Sequence, residues 1–366
     1  MIRQAAKVAV LGVGLIGGSI GLAARRRLEA EVTGFDPDSG TLARALESGA
    51  IDRAGDSIAD ACEGAEVVFC AAPVADLPKL CAAALEACGL ETVVSDVGST
   101  KREIVAALGA DERFIGGHPL AGVETAGIGS ARADLFEGAR WYLTPTEHSS
   151  GLLYDRLQRL VGGLGARPQA IDPATHDRLM ATVSHLPHVV ANALVAEAAA
   201  ALTKDSERMP EVGPSFRDTT RVAGSNPAIW ADIFTSNRDA VADSVESVAR
   251  RLGEAAELIR GGDRDAVGAW HAAAGEDRRR LLEAELQAGP LVELRVGVAN
   301  RPGTVAELAL ALGDAGVNIE DMTLHPASDM SSGAVFLWVA GAKQAERAAE
   351  LVRGLGHTVA VVGAGA

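Results

Sequence analysis

Two short segments carry the residue types that proton chemistry needs. His118 stands in Gly116-Gly117-His118-Pro119-Leu120-Ala121-Gly122, and Ser99 in Ser95-Asp96-Val97-Gly98-Ser99-Thr100-Lys101. Each follows a β-rich run, and the ends of strands in an open α/β sheet are where ligands bind. A histidine titrates near neutral pH, so it can take a proton from a hydroxyl while a hydride leaves the same carbon. Read alone, His118 is more readily a capping or core histidine than a base. A hydride acceptor nearby shifts the balance towards a base.

The sequence offers a place for such an acceptor. Gly12-Val13-Gly14-Leu15-Ile16-Gly17 follows a strand-like run and opens a helical one. In this fingerprint the first glycine allows the tight turn, the second lets backbone approach a pyrophosphate, and the third lets helix and strand pack closely. The helix start presents free N–H groups and a positive dipole end to phosphate. Gly34-Phe35-Asp36 places an acid about 20 residues beyond the glycine loop, as dinucleotide binding requires. Asp36 would accept hydrogen bonds from a ribose and repel a 2′-phosphate, which favours NAD over NADP. The expected cofactor contacts are Gly12, Gly14, Leu15, Ile16, Gly17 and Asp36.

These segments need a scaffold, and the rest of the chain describes one. Over residues 7–145, β-rich runs alternate with helical stretches: Lys7–Leu11, Glu31–Phe35, Val67–Ala71, Thr92–Asp96, Arg113–Gly116 and Arg140–Thr144. That alternation predicts a parallel sheet with right-handed crossovers, an α/β Rossmann-type domain over 1–172 completed by a helix at Leu152–Leu164 and a strand at Arg167–Ile171. From Pro173 the texture changes to long Ala/Leu-rich helical periodicity, including Pro187–Leu202 and Pro227–Leu252, which predicts an all-helical domain over 173–288. Gly289-Pro290 punctuates the chain, and 290–366 reads β-α-β-β-α-β, the ferredoxin-like order. A module set apart in this way predicts that the chemistry survives its removal.

Composition bounds the partners. The chain has 366 residues, more than one core usually serves, and 48% are apolar. The net charge of −15 suits neither a phosphate backbone nor an anionic membrane surface. No apolar run reads as approaching the roughly 20 residues of a membrane span, and no signal-peptide pattern opens the chain. Cys62, Cys70, Cys81 and Cys88 form no CxxC pair and have no histidine among them, which predicts reduced thiols in a cytoplasmic protein without a metal. His148, His176, His271, His325 and His357 show no metal-ligand spacing and read as surface groups or groups behind the site, with His176 in Thr175-His176-Asp177 the first exception to consider.

The combination of motifs is more specific than any of them. The glycine-rich start Gly12 to Ser19, the Asp-Val-Gly-Ser segment and Gly-Gly-His-Pro-Leu-Ala-Gly are joined by Ser184-His185-Leu186-Pro187-His188. Further on stand Phe216-Arg217-Asp218-Thr219-Thr220-Arg221-Val222-Ala223 and Asn226-Pro227-Ala228-Ile229-Trp230. Together they resemble the prephenate dehydrogenase family over about the whole chain. The resemblance implies NAD-dependent oxidation and decarboxylation of prephenate, or of its amino counterpart arogenate, on the route to tyrosine. His118 would take the ring hydroxyl proton, Ser99 would hydrogen-bond and orient His118, and Arg221 would bind a substrate carboxylate. His185, Glu124, Asp218 and Trp230 would lie near the substrate, with His188 structural. An arginine fork suits a carboxylate, although a surface ion pair between Arg221 and Asp218, one helical turn away, is the simpler reading of those two residues alone.

The C-terminal segment resembles an ACT domain, a βαββαβ module that commonly binds amino acids between paired copies. That resemblance implies tyrosine sensing through Pro302, Gly303, Asn318 and Ile319, with N–H groups left free where Gly303 opens a helix, and the chain is expected to form a homodimer. Two competing readings remain at this point. A hydroxyacid dehydrogenase of similar architecture would use a lysine in the helical domain. Lys204, the only one there, reads as part of a polar loop, Thr203-Lys204-Asp205-Ser206. A non-catalytic regulator sensing dinucleotide and amino acid would not require His118, Ser99 and Arg221 together.

Overall fold

The computed structural model describes residues 6–121, 125, 127–205, 212–283, 291–299, 301–327 and 331–362. They fall into two compact units. One joins the residues up to His176 with those from Pro290 onward, and the other spans Asp177–Gly289.

In the first unit, strands β1 (Lys7–Leu11), β2 (Glu31–Phe35), β3 (Arg53–Ala54), β4 (Val67–Cys70) and β5 (Val93–Asp96) form a parallel sheet in the order β3-β2-β1-β4-β5. The strands read as continuous apolar runs because both faces are covered by helices; Val8, Val10, Val32, Val67, Phe69 and Val93 are all buried. Leu11 pairs with Cys70 and Cys70 with Asp96, so the carboxyl ends of β1, β4 and β5 lie level along one edge.

The predicted strand at Arg113–Gly116 is displaced. Phe114 makes a single parallel bridge to Val94, and the strand proper is β6 (Gly116–Pro119), which contains His118. Strand β6 leaves the parallel sheet and joins β7 (Arg140–Thr144) and β8 (Arg167–Ala170), antiparallel to the first of them. Glycine at 117 permits this, since a Cβ there would come 2.6 Å from the Asp96 carbonyl oxygen.

The C-terminal residues form β9 (Leu291–Ala299), β10 (Ile319–Pro326), β11 (Ser332–Ala340) and β12 (Thr358–Val362), an antiparallel sheet ordered β10-β11-β9-β12. Helices Thr304–Asp314 and Ala342–Gly354 complete the expected βαββαβ order. The module is not set apart as its pattern suggests. Helix Gly151–Gly163 buries Leu153, Tyr154, Leu157, Leu160 and Val161, and also Asp155 and Gln158. Burial of polar positions beyond the apolar stripe means that a second layer covers this helix. That layer is the C-terminal module, and one apolar cluster runs from Val8 and Val10 through Leu153 and Leu157 to Leu294, Val305 and Leu337.

The second unit is helical: the helix entered at Pro173–Met180 continues through a widened turn at Ala181–His185 into Leu186–Asp205, followed by Pro214–Thr220, Pro227–Ser236, Arg238–Gly261 and Arg264–Glu283. Lys204 lies in the last turn of Leu186–Asp205, not in a loop. The expected helix Pro227–Leu252 is broken at Asn237, whose side chain is spent on tertiary hydrogen bonds described below. Contrary to the sequence expectation, Pro173–Ala200 is long and apolar enough to cross a membrane by length and composition alone, with 28% of its apolar window buried. The four cysteines are free, with Cys62, Cys70 and Cys81 buried, and no metal-binding cluster occurs among the described residues.

Candidate active site

The glycine loop is shaped by contacts that exclude side chains. Gly12 has φ +93°, its N–H donates to the Phe35 carbonyl at 2.7 Å, and a Cβ on it would run into the Ala71 carbonyl oxygen. A Cβ on Gly17 would strike the Gly12 carbonyl, so the helix Leu15–Leu28 seats directly on the turn. A Cβ on Gly14 would meet nothing within 4 Å. That open side, at a helix N-terminus, fits a pyrophosphate. Leu15 and Ile16 open the helix, and Asp36 directly follows the second strand. Its carboxylate accepts from the Val13 N–H and from the Asp38 N–H, each at 3.0 Å. A carboxylate has about four acceptor positions, so Asp36 keeps capacity for ribose hydroxyls while it braces the loop.

The segments bearing Ser99 and His118 are tied together by a residue the motif reading passed over. Asp96 is fully buried and accepts from the Gly98 N–H at 2.7 Å, from the Gly117 N–H at 3.1 Å and from the Lys101 ammonium, itself fully buried. An uncompensated buried charge costs about 3–5 kcal/mol when one partner of such a pair is removed. The signal in sequence was an Asp and a Lys five residues apart around a strand end, too common to single out.

His118 is half-buried on β6, opposite Tyr142 on β7. Its Nδ1 lies 2.9 Å from Nε2 of His176, and the two rings meet edge-on with centroids 5.1 Å apart. His176 is wholly buried and also meets the Tyr142 ring edge-on at 5.5 Å. Ser99, expected to orient His118, is half-buried in the neighbouring segment. His176 lies on the Nδ1 side of His118.

In the helical unit, Pro187 lacks the N–H that would bond four residues back, and the ladder widens before it: the Leu186 N–H reaches Ala181. His185 sits in this widened turn and is buried. The Asn237 amide donates to the Asp177 carbonyl at 2.8 Å and to His185 Nδ1 at 3.2 Å, which leaves the His185 proton on Nε2. Trp230 meets His185 edge-on at 6.0 Å and stacks on His188 at 3.4 Å. Burial, and then the charge of Arg221, lower the pKa of His188. His185, His188, Trp230 and Arg221 therefore form one cluster, and His188, expected to be structural, is part of it. Asp218, one helical turn before Arg221, is exposed. Glu124 lies outside the described residues.

At the proposed regulatory positions, Gly303 does not offer a free N–H. It donates to the Ser149 carbonyl at 3.1 Å, and a Cβ there would meet the Glu147 carbonyl at 2.5 Å. Docking of the module on the nucleotide-binding part consumes that group. Pro302 is exposed, Ile319 is buried, and Asn318 donates to the Glu320 carboxylate at 2.7 Å.

Known proteins match this arrangement. Family models described as the nucleotide-binding domain and the dimerization domain of prephenate dehydrogenase match residues 20–169 and 172–272. A prephenate dehydrogenase of Bacillus subtilis is 31% identical over 332 residues, 87% of this chain and 87% of that protein. One from Lactococcus lactis is 30% identical, covering 84% of this chain and 86% of its own length. The crystal structure of prephenate dehydrogenase from A. aeolicus with hydroxyphenyl propionate and NAD+ superposes with a TM-score of 0.71 at 28% identity, covering 77% of this chain and all of that one. A Rossmann-type domain that binds NAD, followed by a helical dimerization domain, is common to these comparisons. The chain belongs to the prephenate dehydrogenase family of NAD-dependent dehydrogenases.

Proposed function

We propose that the protein converts prephenate to 4-hydroxyphenylpyruvate and carbon dioxide in tyrosine biosynthesis. The observation that carries this reading is the shared strand edge. Gly12 follows Leu11, Leu11 aligns with Cys70 and Asp96, and Asp96 holds Gly117 beside His118. The glycine turn and a candidate base thus lie on the edge where such sheets bind ligands. NAD supplies the hydride acceptor. His118 takes the ring hydroxyl proton at Nε2, with Ser99 as a nearby polar contact. The new carbonyl draws electrons from the ring carboxylate, and aromatisation on loss of carbon dioxide makes the step effectively irreversible. Arg221 binds a substrate carboxylate, while His185, Glu124, Asp218 and Trp230 complete the substrate contacts.

The working division is 1–172 for cofactor, 173–288 for substrate and dimerisation, and 290–366 for regulation in a cytoplasmic homodimer. The apolar exposure of the helical unit and the family description of that region support the dimer. The ferredoxin-like strand order supports an ACT-type role for the last part, with tyrosine as ligand near Pro302, Asn318 and Ile319. Assays of NADH formation with prephenate and arogenate side by side test the reading. Turnover of prephenate is expected, turnover of arogenate alone moves the substrate assignment, and no turnover of either overturns it.

A further inference from the structure

We propose that His176 is a positioning residue that holds His118 in the tautomer with its proton on Nδ1, leaving the lone pair on Nε2. This rests on the reading of His118 as the base. A hydrogen bond between two imidazole nitrogens needs one N–H and one lone pair. At 2.9 Å, either His118 Nδ1 donates to His176 Nε2, or the reverse holds. In the reverse arrangement the neutral His118 carries its proton on Nε2 and cannot accept another there. Once His118 is protonated both its nitrogens are donors, so His176 must then accept. Only donation from His118 Nδ1 is compatible with both states without a tautomer change in mid-reaction.

The surroundings of His176 favour the acceptor role. Its side chain is wholly buried, which disfavours the charged form. It lies in the first turn of the helix Pro173–Met180, fixed at its N-terminus by Asp172, which accepts from the His176 N–H through its carbonyl at 2.8 Å and from the Thr175 N–H through its carboxylate at 2.8 Å. Its ring lies edge-on to both members of the cross-strand pair His118 and Tyr142. Among the described residues, titratable groups near the pair include Tyr142 on β7, Asp96 and Lys101 joined to one another, and Asp172 and Asp177 close to His176 in the chain. A neutral partner fixes the orientation of the base without adding the charge that a carboxylate would bring.

The test is the pH profile of kcat in full-length enzyme with saturating NAD. His176→Phe keeps a ring but removes the acceptor. It should lower kcat about 10–100-fold, displace the acid limb and leave the KM for prephenate little changed. His176→Gln, whose carbonyl oxygen reaches the place of Nε2, should recover most of the loss. A folded His176→Phe enzyme with unchanged kcat and acid limb overturns the proposal. If that variant does not fold, nitrogen NMR of the unsubstituted protein with NAD still decides: the His118 proton is expected on Nδ1, and a proton on Nε2 overturns it. Loss of the base assignment itself reads out separately, as retention of kcat in His118→Asn.

Discussion

The two units of this chain close their cores differently. In the first, helix Gly151–Gly163 lies between the nucleotide-binding sheet and the C-terminal sheet, and apolar residues from both form one cluster. In the second, the buried apolar residues are few, chiefly Met180, Ala181, Leu186, Ala191, Ile233 and Val241, while Leu194, Val195, Leu252, Ile259 and Trp270 are exposed. Exposed apolar residues of this kind are what the proposed homodimer would cover. The chain therefore packs its third segment onto the nucleotide-binding part, while the helical unit keeps more of its apolar side chains exposed.

The largest effect should come from breaking the closed unit. Deleting residues from Gly289 onward would strip the cover from Tyr154, Asp155 and their neighbours. Two or three large apolar side chains returned to water cost roughly 5 kcal/mol or more, so the truncated protein should unfold at markedly lower temperature or fail to accumulate. A truncated protein with the full-length melting temperature would show that the shared core contributes little. Within the same unit, His118→Asn should lower kcat by roughly 10²–10⁴ without changing stability. A near-normal kcat would remove His118 as base.

The open unit should answer differently. Arg221→Ala should chiefly raise the KM for prephenate, since it removes the charged hydrogen bonds that an arginine fork makes to a carboxylate; a fall in kcat at constant KM would mean that Arg221 is not a ground-state clamp. Leu252→Glu, on a face shared with Ile259 seven residues on, should weaken self-association by about 1.5–3 kcal/mol, the value of one buried leucine. Sedimentation at falling concentration reads this directly, and an unchanged dimer would place the interface elsewhere.

Much of this was legible because some signals are local. The glycine loop, β1, β2 and β7 follow from residue type and period, since a tight turn and a buried strand leave few choices. The strand at Arg113–Gly116 came out late because two glycines give no side-chain period to read. Asn237 was invisible for the opposite reason: an asparagine in a helical run looks like surface until His185 and Asp177 come beside it. The Ser99–His118 bond was expected from the resemblance, while the contact of His118 with His176, 58 positions further along, shows only in the fold. The separateness of the C-terminal module was misread because Asp155 and Gln158 look like the wet side of an amphipathic helix, and only the fold reveals a second layer over them.

That second layer makes the smallest and most specific prediction. Asp155 is 3% exposed and pairs with Arg159, and burial raises its pKa above the ordinary carboxylate value in spite of that partner. One of its oxygens has no hydrogen-bond partner. With the folded pKa above the unfolded one, the folded protein holds the proton at pH values where the unfolded chain, titrating near 3.9, has released it. Stability is thus fully present below about pH 3.9 and declines as pH rises through the folded value, so at neutral pH the ionised Asp155 is a standing cost. Asp155→Asn removes that cost while keeping the shape. It should raise the melting temperature at pH 7 modestly, by no more than about 1 kcal/mol in stability, and the gain should shrink towards zero as the pH approaches 4. If the C-terminal module did not seal this position, water would hold the carboxylate at its ordinary pKa and the substitution would be neutral at every pH. Equal melting curves for the two proteins at pH 7 would therefore break the contrast between a closed and an open unit at its narrowest point.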